Sequence, residues 1–73
     1  MSARVLVVIA DGSEELETVT VIDLLRRVDI QVTVAAVEVL EIIASRNTRL
    51  VADNLLSDCI HDDWDMIILP GGM

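Results

Sequence analysis

Residues 4–13 of this 73-residue chain, R-V-L-V-V-I-A-D-G-S, decide its fold class. After Arg4 the run to residue 10 is continuously apolar, without the alternation of a strand that has one face in water. The run therefore predicts a parallel strand that is covered on both faces. The tripeptide 11–13 then ends it and predicts a short turn from the strand into a helix.

Residues 14–28 have the periodicity of an amphipathic helix. The apolar side chains spaced by three and four residues are Val21, Leu24, Leu25 and Val28. Glutamates at the start of the segment and two arginines, Arg26 and Arg27, at its end complement the helix dipole. Asp11 or Ser13 is the expected N-cap. The pattern predicts one helix directly after the first strand.

The rest of the chain alternates between strand and helix patterns. The predicted elements are strands at residues 30–37, 40–44, 48–51 and 65–70 and a short helix within 54–60. The apolar run at 65–70 is predicted to be buried. Ser45-Arg46-Asn47 favours a tight hairpin turn between the two middle strands. No turn-forming residue lies between Val37 and Leu40, so the chain either continues there without reversing or lacks residues near Glu38. This alternation predicts an α/β fold with a mostly parallel sheet and helices on both faces.

Asp29 occupies the link between the long helix and the second strand. Such links usually place a glycine in the left-handed conformation, which aspartate tolerates less well. We therefore expect a small local strain at Asp29.

The composition indicates that the chain does not bury its strands alone. Of its residues 53% are hydrophobic, yet a domain this small buries only about 60% of the surface that its unfolded chain exposes. The sequence also stops at Gly71-Gly72-Met73, at the rim where open α/β sheets bind ligands. We expect residues 1–73 to be the incomplete N-terminal half of a single domain, completed by further sequence or by a partner chain.

The charge and the single cysteine narrow the possible partners. The formal net charge is −8, from 13 acidic and 5 basic residues, which argues against binding to nucleic acid or to anionic membranes.

No apolar run approaches the length of a membrane helix, roughly 18 residues, and the first strand is too short for a signal peptide. Cys59 has no internal disulfide partner and fits a reducing compartment. We expect a soluble, cytoplasmic protein.

Two segments place polar groups at the carboxyl ends of strands, and so at one rim of a parallel sheet. They are A-D-G-S-E-E-L-E-T at residues 10–18 and L-P-G-G-M at residues 69–73. Together with V-I-D-L-L-R-R at 21–27 and S-R at 45–46, they closely resemble the ThiJ/PfpI family, which includes the parkinsonism-associated protein deglycase and its bacterial relatives. The resemblance covers almost all of the chain and implies a flavodoxin-like, doubly wound domain.

The resemblance also implies a catalytic site. In the family a glutamate of the first helix hydrogen-bonds a nucleophilic cysteine at a strained turn, and by position this glutamate is Glu17. The backbone N–H of the second glycine in L-P-G-G helps to form an oxyanion hole; this glycine corresponds to Gly72, which follows Gly71. A protonated carboxyl that donates to a thiolate favours ionisation of the thiol. The family's nucleophile lies after this strand, so Cys59 does not occupy its position and this chain alone is not expected to catalyse a reaction.

Further implications of the resemblance concern partners and activity. The family forms homodimers through the first helix, so Arg27 and Arg46 are expected near that interface and the mouth of the site, against substrate or partner. The implied activity is of glyoxalase or deglycase type, on methylglyoxal-like carbonyls or glycated proteins in stress protection, with no metal and no organic cofactor. The alternatives are a redox-regulated chaperone or stress sensor of the same fold, and a non-catalytic half that pairs with a separate C-terminal chain.

The residues taken alone allow simpler interpretations. Glu17 is then a surface residue that complements the helix dipole, the glycines of L-P-G-G form an ordinary strand-end turn, and Cys59 is a small buried hydrophobe. The acids around His61 lack the ligand spacing of a metal site. A phosphate-accepting receiver domain shares the architecture, but the strand that closes with Pro70 lacks its acceptor aspartate.

Overall fold

The computed structural model describes residues 3–72, so Met73 of the Gly-Gly segment lies outside the described residues. In chain order its elements are β1 (Arg4–Ile9), α1 (Glu15–Arg27), β2 (Gln31–Ala36), β3 (Glu41–Ile43), β4 (Arg49–Val51), β5 (Asn54–Leu55), α2 (Leu56–Cys59) and β6 (Met66–Ile68). This is the order that the sequence predicts, with β5 added. No helix within residues 3–72 is both long and apolar enough to cross a membrane.

β1 lies inside a four-stranded parallel sheet with the strand order β5-β2-β1-β6. It pairs along its whole length with β2 on one side and with β6 on the other, where Val5 lies beside Met66. The chain first crosses from β1 to β2 and later reaches β6 on the other side, so the strand order reverses between β1 and β6. The predicted doubly wound α/β fold with a mostly parallel sheet is confirmed.

The two faces of β1 enter two separate hydrophobic cores, because successive side chains of a strand point to opposite faces. The first core, beneath α1 and the β3–β4 hairpin, contains Val5, Val7, Ile9 and Ile42. The second core, beside α2, contains Leu6, Val8, Ala35 and Cys59. Leu6, Val7 and Ile9 are wholly buried, and each such side chain contributes about 1.5–3 kcal/mol relative to its exposed state. Burial on both faces explains the unbroken apolar run of β1.

The four spaced apolar residues that predict α1 do not all face the core. Ile22 and Leu25 pack against the first core, and Thr18 is the buried residue of the helix. Leu24 and Val28, by contrast, are 57% and 66% exposed. Of the four residues whose spacing predicts the helix, Leu25 packs against the first core and Val21 is half-buried. Apolar residues occupy two faces of α1 about 100° apart, and periodicity alone does not show which face meets the sheet.

β6 is an exposed edge of the sheet in the described part of the chain. The run 65–70 was predicted to be buried, but Met66, Ile67 and Leu69 are all exposed. β6 pairs with β1 on one side only, which is the physical reason for the difference. The prediction also missed β5, because Asn54–Leu55 offers only two residues before α2 begins, too few to form a pattern.

The β3–β4 hairpin forms where the sequence predicts it, as an antiparallel pair with Asn47 at φ 68° in its turn. From β2 to β3 the chain passes through bends within residues 37–40 and makes no hydrogen-bonded turn there. The Val37 N–H donates to the Ile9 carbonyl (3.1 Å) and ties this passage to β1. Bends of this kind explain why turn-forming residues are missing around Glu38.

Asp29 closes the C-terminal end of α1 in the left-handed conformation, with φ 62°, as predicted. The Asp29 N–H donates to the Arg26 carbonyl (3.2 Å) and the Ile30 N–H donates to the Leu25 carbonyl (3.1 Å), which is the Schellman arrangement. Leu25 and Ile30 also pack against the first core. These contacts hold the helix end although its left-handed residue is not glycine.

Replacing Asp29 with glycine is expected to stabilise the protein by about 1 kcal/mol, because glycine adopts positive φ without the steric cost of an L-residue. Urea denaturation of Asp29→Gly and the unsubstituted protein measures the difference. Asp29→Asn is the matched control and should fall between them, since asparagine tolerates this conformation better than aspartate does. Equal stability of all three proteins would show that no strain is stored at this position.

Candidate functional site

Ser13 closes the turn between β1 and α1. The Ser13 N–H donates to the Ala10 carbonyl (3.0 Å), and the Ala10 N–H donates to the Ser13 hydroxyl oxygen (3.0 Å). Ser13 is fully buried. The serine therefore shapes the turn and is not available to cap the helix.

The N-cap of α1 is Glu14. Its carboxylate accepts a hydrogen bond from the Leu16 N–H (2.8 Å), one of the amide groups that a helix start leaves unpaired. The expected caps, Asp11 and Ser13, were wrong. Ser13 is engaged in the turn, and the Asp11 carboxylate accepts a hydrogen bond from the Ile43 N–H of β3 (2.9 Å).

The two rim segments meet through their glycines. The Glu14 N–H donates to the Gly71 carbonyl (2.9 Å), and Gly12 and Gly72 have positive φ, 90° and 91°. A Cβ on Gly72 would lie 2.6 Å from the Gly12 carbonyl oxygen and 2.8 Å from the Glu14 nitrogen, so no side chain fits there. This close approach joins the carboxyl ends of β1 and β6, the point of reversed strand order where open α/β sheets bind ligands.

Glu17 lies over the Gly-Gly turn. Its Oε1 atom accepts a long hydrogen bond from the Gly71 N–H, with 3.4 Å between oxygen and nitrogen. A Cβ on Gly71 would be 3.1 Å and 3.3 Å from the two carboxylate oxygens. Within residues 3–72, no acceptor takes a hydrogen bond from the Gly72 N–H. The fold thus brings together three residues that the family resemblance singles out, Glu17, Gly71 and Gly72.

Glu15 points to the hairpin, because a step of two residues turns a helix by about 200° and so places it opposite Glu17. Its Oε1 accepts from the Ser45 hydroxyl (2.9 Å), and its Oε2 accepts from the N–H groups of Arg46 (2.8 Å) and Thr48 (3.3 Å). Desolvation acts to raise the pKa of Glu15, but hydrogen bonds from its own N–H and from this turn outweigh that effect and lower the pKa to about 2. No local sequence signal marks this role of Glu15, because its hydrogen-bond partners lie 30 or more residues away along the chain.

The two arginines expected near the site do not reach it within this chain. Arg27 lies at the opposite end of α1, where it pairs with Asp23 (3.1 Å). Arg46 lies in the hairpin turn, with its backbone N–H on Glu15 and its side chain exposed. Their assignment to substrate or to an interface stays a prediction.

Cys59 belongs to the opposite face of the sheet, in the second core, and is 5% exposed. Burial, followed by the charges of Asp62 and Asp58, raises the pKa of its thiol. The Trp64 indole N–H donates to the Cys59 carbonyl (2.9 Å) and encloses the residue further. Cys59 is buried, as the simpler interpretation predicts. Within residues 3–72 no group of three or more His, Cys, Asp or Glu side chains could hold a metal ion.

Comparison of sequences links the chain to one family. The profile of the DJ-1/PfpI family matches residues 3–73. Protein DJ-1 homolog B of Arabidopsis thaliana is 51% identical over 71 residues, which cover 96% of this chain and 16% of the relative. Protein dj-1beta of Drosophila melanogaster is 39% identical over 74 residues, which cover 100% of this chain and 40% of the relative. The chain thus spans less than half the length of these curated relatives.

Comparison of structures gives the same result. An oxidized Toxoplasma gondii DJ-1 superposes with a TM-score of 0.95 at 41% identity, over 99% of this chain and 40% of that one. Drosophila melanogaster DJ-1beta superposes with a TM-score of 0.96 at 38% identity, over 100% of this chain and 40% of that one. Schizosaccharomyces pombe DJ-1, at 22% identity and a TM-score of 0.87, shares the fold. The resemblance that the sequence motifs carry is confirmed.

The two glycines of the turn are expected to respond differently to substitution. Gly72→Ala should destabilise the protein by at least about 2 kcal/mol, because it adds both a positive-φ cost and a collision with backbone atoms. Gly71→Ala should change stability by less than about 1 kcal/mol, since its Cβ meets only the movable end of Glu17. Urea denaturation compares them, and equal losses would contradict the close backbone approach at Gly72.

Glu15 is expected to make stability fall in acid. Its folded-state pKa of about 2 lies below the ordinary value of 4.5, so its contribution is complete above about pH 4.5 and is lost as the pH falls towards 2. Denaturation of Glu15→Gln should show lower stability at neutral pH and a smaller loss across this window. Glu41→Gln, which neutralises an exposed carboxylate of β3, is the control and should keep the full acid dependence. A Glu15→Gln profile parallel to that of the unsubstituted protein would exclude this role.

Proposed function

Because the chain belongs to the DJ-1/PfpI family, we propose that it forms part of a cysteine-dependent enzyme that acts on small reactive carbonyls in stress protection. The substrate class is methylglyoxal-like compounds or the adducts that they form on proteins, as for a glyoxalase or protein deglycase. The proposal concerns the complete protein, since this chain spans between 16 and 40% of the length of the relatives described above.

One observation carries the proposal: the Glu17 carboxylate lies 3.4 Å from the Gly71 nitrogen at the rim where the strand order reverses. The Glu17 carboxyl group and the Gly-Gly turn, whose backbone a ligand can approach closely, therefore lie side by side at this rim. In α/β sheets of this kind, ligands bind at that reversal. A group at this rim can be reached from the solvent, because Glu17 and both glycines are exposed in this chain.

The proposed chemistry uses each of these groups for a separate task. A thiolate from outside this chain adds to the carbonyl carbon of the substrate, and negative charge develops on the carbonyl oxygen. The Gly72 N–H, which has no acceptor within residues 3–72, would donate to that oxygen. Glu17 in its protonated form would donate to the thiolate and favour ionisation of the thiol. The proposed reaction requires neither a metal nor an organic cofactor.

Cys59 is not the proposed nucleophile. Its burial and the neighbouring Asp62 and Asp58 raise the pKa of the thiol, which leaves less of the reactive thiolate. Its side chain packs in the second core, on the face of the sheet away from α1. The nucleophile must therefore come from another part of the complete protein.

The proposed partners are a second copy and the remainder of the domain. A second face of α1 exposes Leu24 and Val28, which would suit a homodimer formed through this helix. β6 has an unpaired edge in the described part of the chain and exposes Met66 and Ile67, so further strands, from the same chain or a separate one, would pair there. The net charge of −8 disfavours nucleic acid and anionic membranes as partners, and we propose a cytoplasmic location.

A second candidate function is redox sensing or redox-regulated chaperone activity at the same site. It is favoured by one observation, that a similar structure is that of an oxidized DJ-1 from Toxoplasma gondii. A thiolate that attacks carbonyls is also the form of cysteine that is most readily oxidised. The enzyme requires carbonyl turnover that depends on Glu17, whereas the sensor does not.

Glu17→Ala in the complete protein is expected to lower kcat for methylglyoxal by roughly a hundredfold or more, the usual loss when a group that assists proton transfer is removed. Disappearance of methylglyoxal, followed with purified protein, measures the effect. Glu41→Ala is the control and should retain full activity, since Glu41 lies on the exposed side of the hairpin. Unchanged clearance by Glu17→Ala would count against the enzyme and favour the sensor.

A further inference from the structure

We infer that Glu15 is a positioning residue for Glu17: by tying the first turn of α1 to the β3–β4 hairpin, it holds the Glu17 carboxylate over the Gly-Gly turn. This role rests on the proposed function, in which Glu17 assists the nucleophilic thiol. The sequence does not separate the two glutamates, since both lie in the acidic first turn of a helix and complement its dipole. Their contacts separate them.

The first turn of α1 lies between two anchors. On one side, the Gly71 carbonyl accepts the Glu14 N–H (2.9 Å), and Glu17 faces the same turn. On the other side, Glu15 accepts hydrogen bonds from three donors of the hairpin turn at residues 45–48. Helix ends fray when nothing holds them, so the hairpin anchor limits the movement of the helix start.

The hairpin has further hydrogen bonds that do not involve the helix. The Gly12 N–H donates to the Ile43 carbonyl (2.9 Å), and the Ser45 N–H donates to the Ser13 carbonyl (2.8 Å). These bonds reach the turn before α1 and make no contact with the helix itself. Removal of the Glu15 side chain is therefore expected to detach the helix start from the hairpin, so that only the anchor at Gly71 remains, while the hairpin stays in place.

The contact between Glu17 and Gly71 depends on the exact position of the helix start. Its length of 3.4 Å is already beyond the usual N–H···O range of about 2.7–3.2 Å. A further outward movement of about 0.5 Å would abolish it. Anchoring by Glu15 on the opposite side of the helix opposes such a movement.

The test uses the complete protein, with Glu15→Ala as the variant and Glu41→Ala as the matched hairpin control. Ultraviolet absorbance of the thiolate gives the pKa of the nucleophilic thiol. Glu15→Ala is expected to raise that pKa in the same direction as Glu17→Ala, because a displaced Glu17 no longer donates to the thiolate. With methylglyoxal, kcat should fall at least about tenfold and KM should change less than about threefold. Glu41→Ala should change neither.

Two further variants separate positioning from a general loss of structure. Glu15→Gln keeps an oxygen for the turn N–H groups and an amide that can donate to the Ser45 hydroxyl, so it should restore most of kcat and the thiol pKa. In a Glu17→Ala background, the additional change Glu15→Ala is expected to alter kcat by less than about twofold. Effects that act through one shared residue are not additive.

An unchanged thiol pKa in Glu15→Ala, or losses that multiply in the double variant, would overturn the inference. Amide hydrogen exchange gives a readout that needs no activity: the Gly71 amide should exchange at least about threefold faster in Glu15→Ala. Unchanged exchange would also overturn the positioning role. If the unsubstituted protein shows neither turnover of methylglyoxal nor an ionising thiol, the proposed function is contradicted. The positioning role of Glu15 is then tested by the exchange rate of the Gly71 amide alone.

Discussion

The close approach of two glycine backbones is the constraint on which the rest of the candidate site depends. Gly12 follows β1 and Gly72 follows β6, and a Cβ on Gly72 would collide with the Gly12 carbonyl oxygen and the Glu14 nitrogen. Parallel neighbouring strands end at the same rim, so turns from the two ends of the chain meet there. Only at this separation can the Gly71 carbonyl accept the Glu14 N–H and the Gly71 N–H reach Glu17.

The acidic first turn of α1 distributes its carboxylates among three tasks. Glu14 caps the helix through the Leu16 N–H, Glu15 binds the hairpin turn, and Glu17 faces Gly71. The positive end of the helix dipole favours negative charge at all three positions. The helix pitch then determines the direction of each side chain. The same three glutamates therefore stabilise the helix start and also supply the contacts of the fold and of the site.

The same architecture leaves apolar surface uncovered in the described part of the chain. β6 pairs on one side only, and α1 exposes Leu24 and Val28 on its second apolar face. Structures of 38–41% identity nevertheless superpose on this chain with TM-scores of 0.95–0.96. The chain therefore has the conformation that this segment has in larger relatives, where it forms about 40% of each solved chain.

The sequence by itself determined the order of elements, the double-sided burial of β1, the hairpin and the left-handed Asp29. These features depend on periodicity and turn preferences, which act over a few residues. Tertiary structure alone decided which stripe of α1 meets the sheet, that Glu14 is the cap, that β5 joins the sheet and that β6 is exposed. It also decided that Glu15 binds the hairpin while Glu17 faces Gly71. Those outcomes depend on which distant segments meet at the rim of the sheet, and no local preference encodes that meeting.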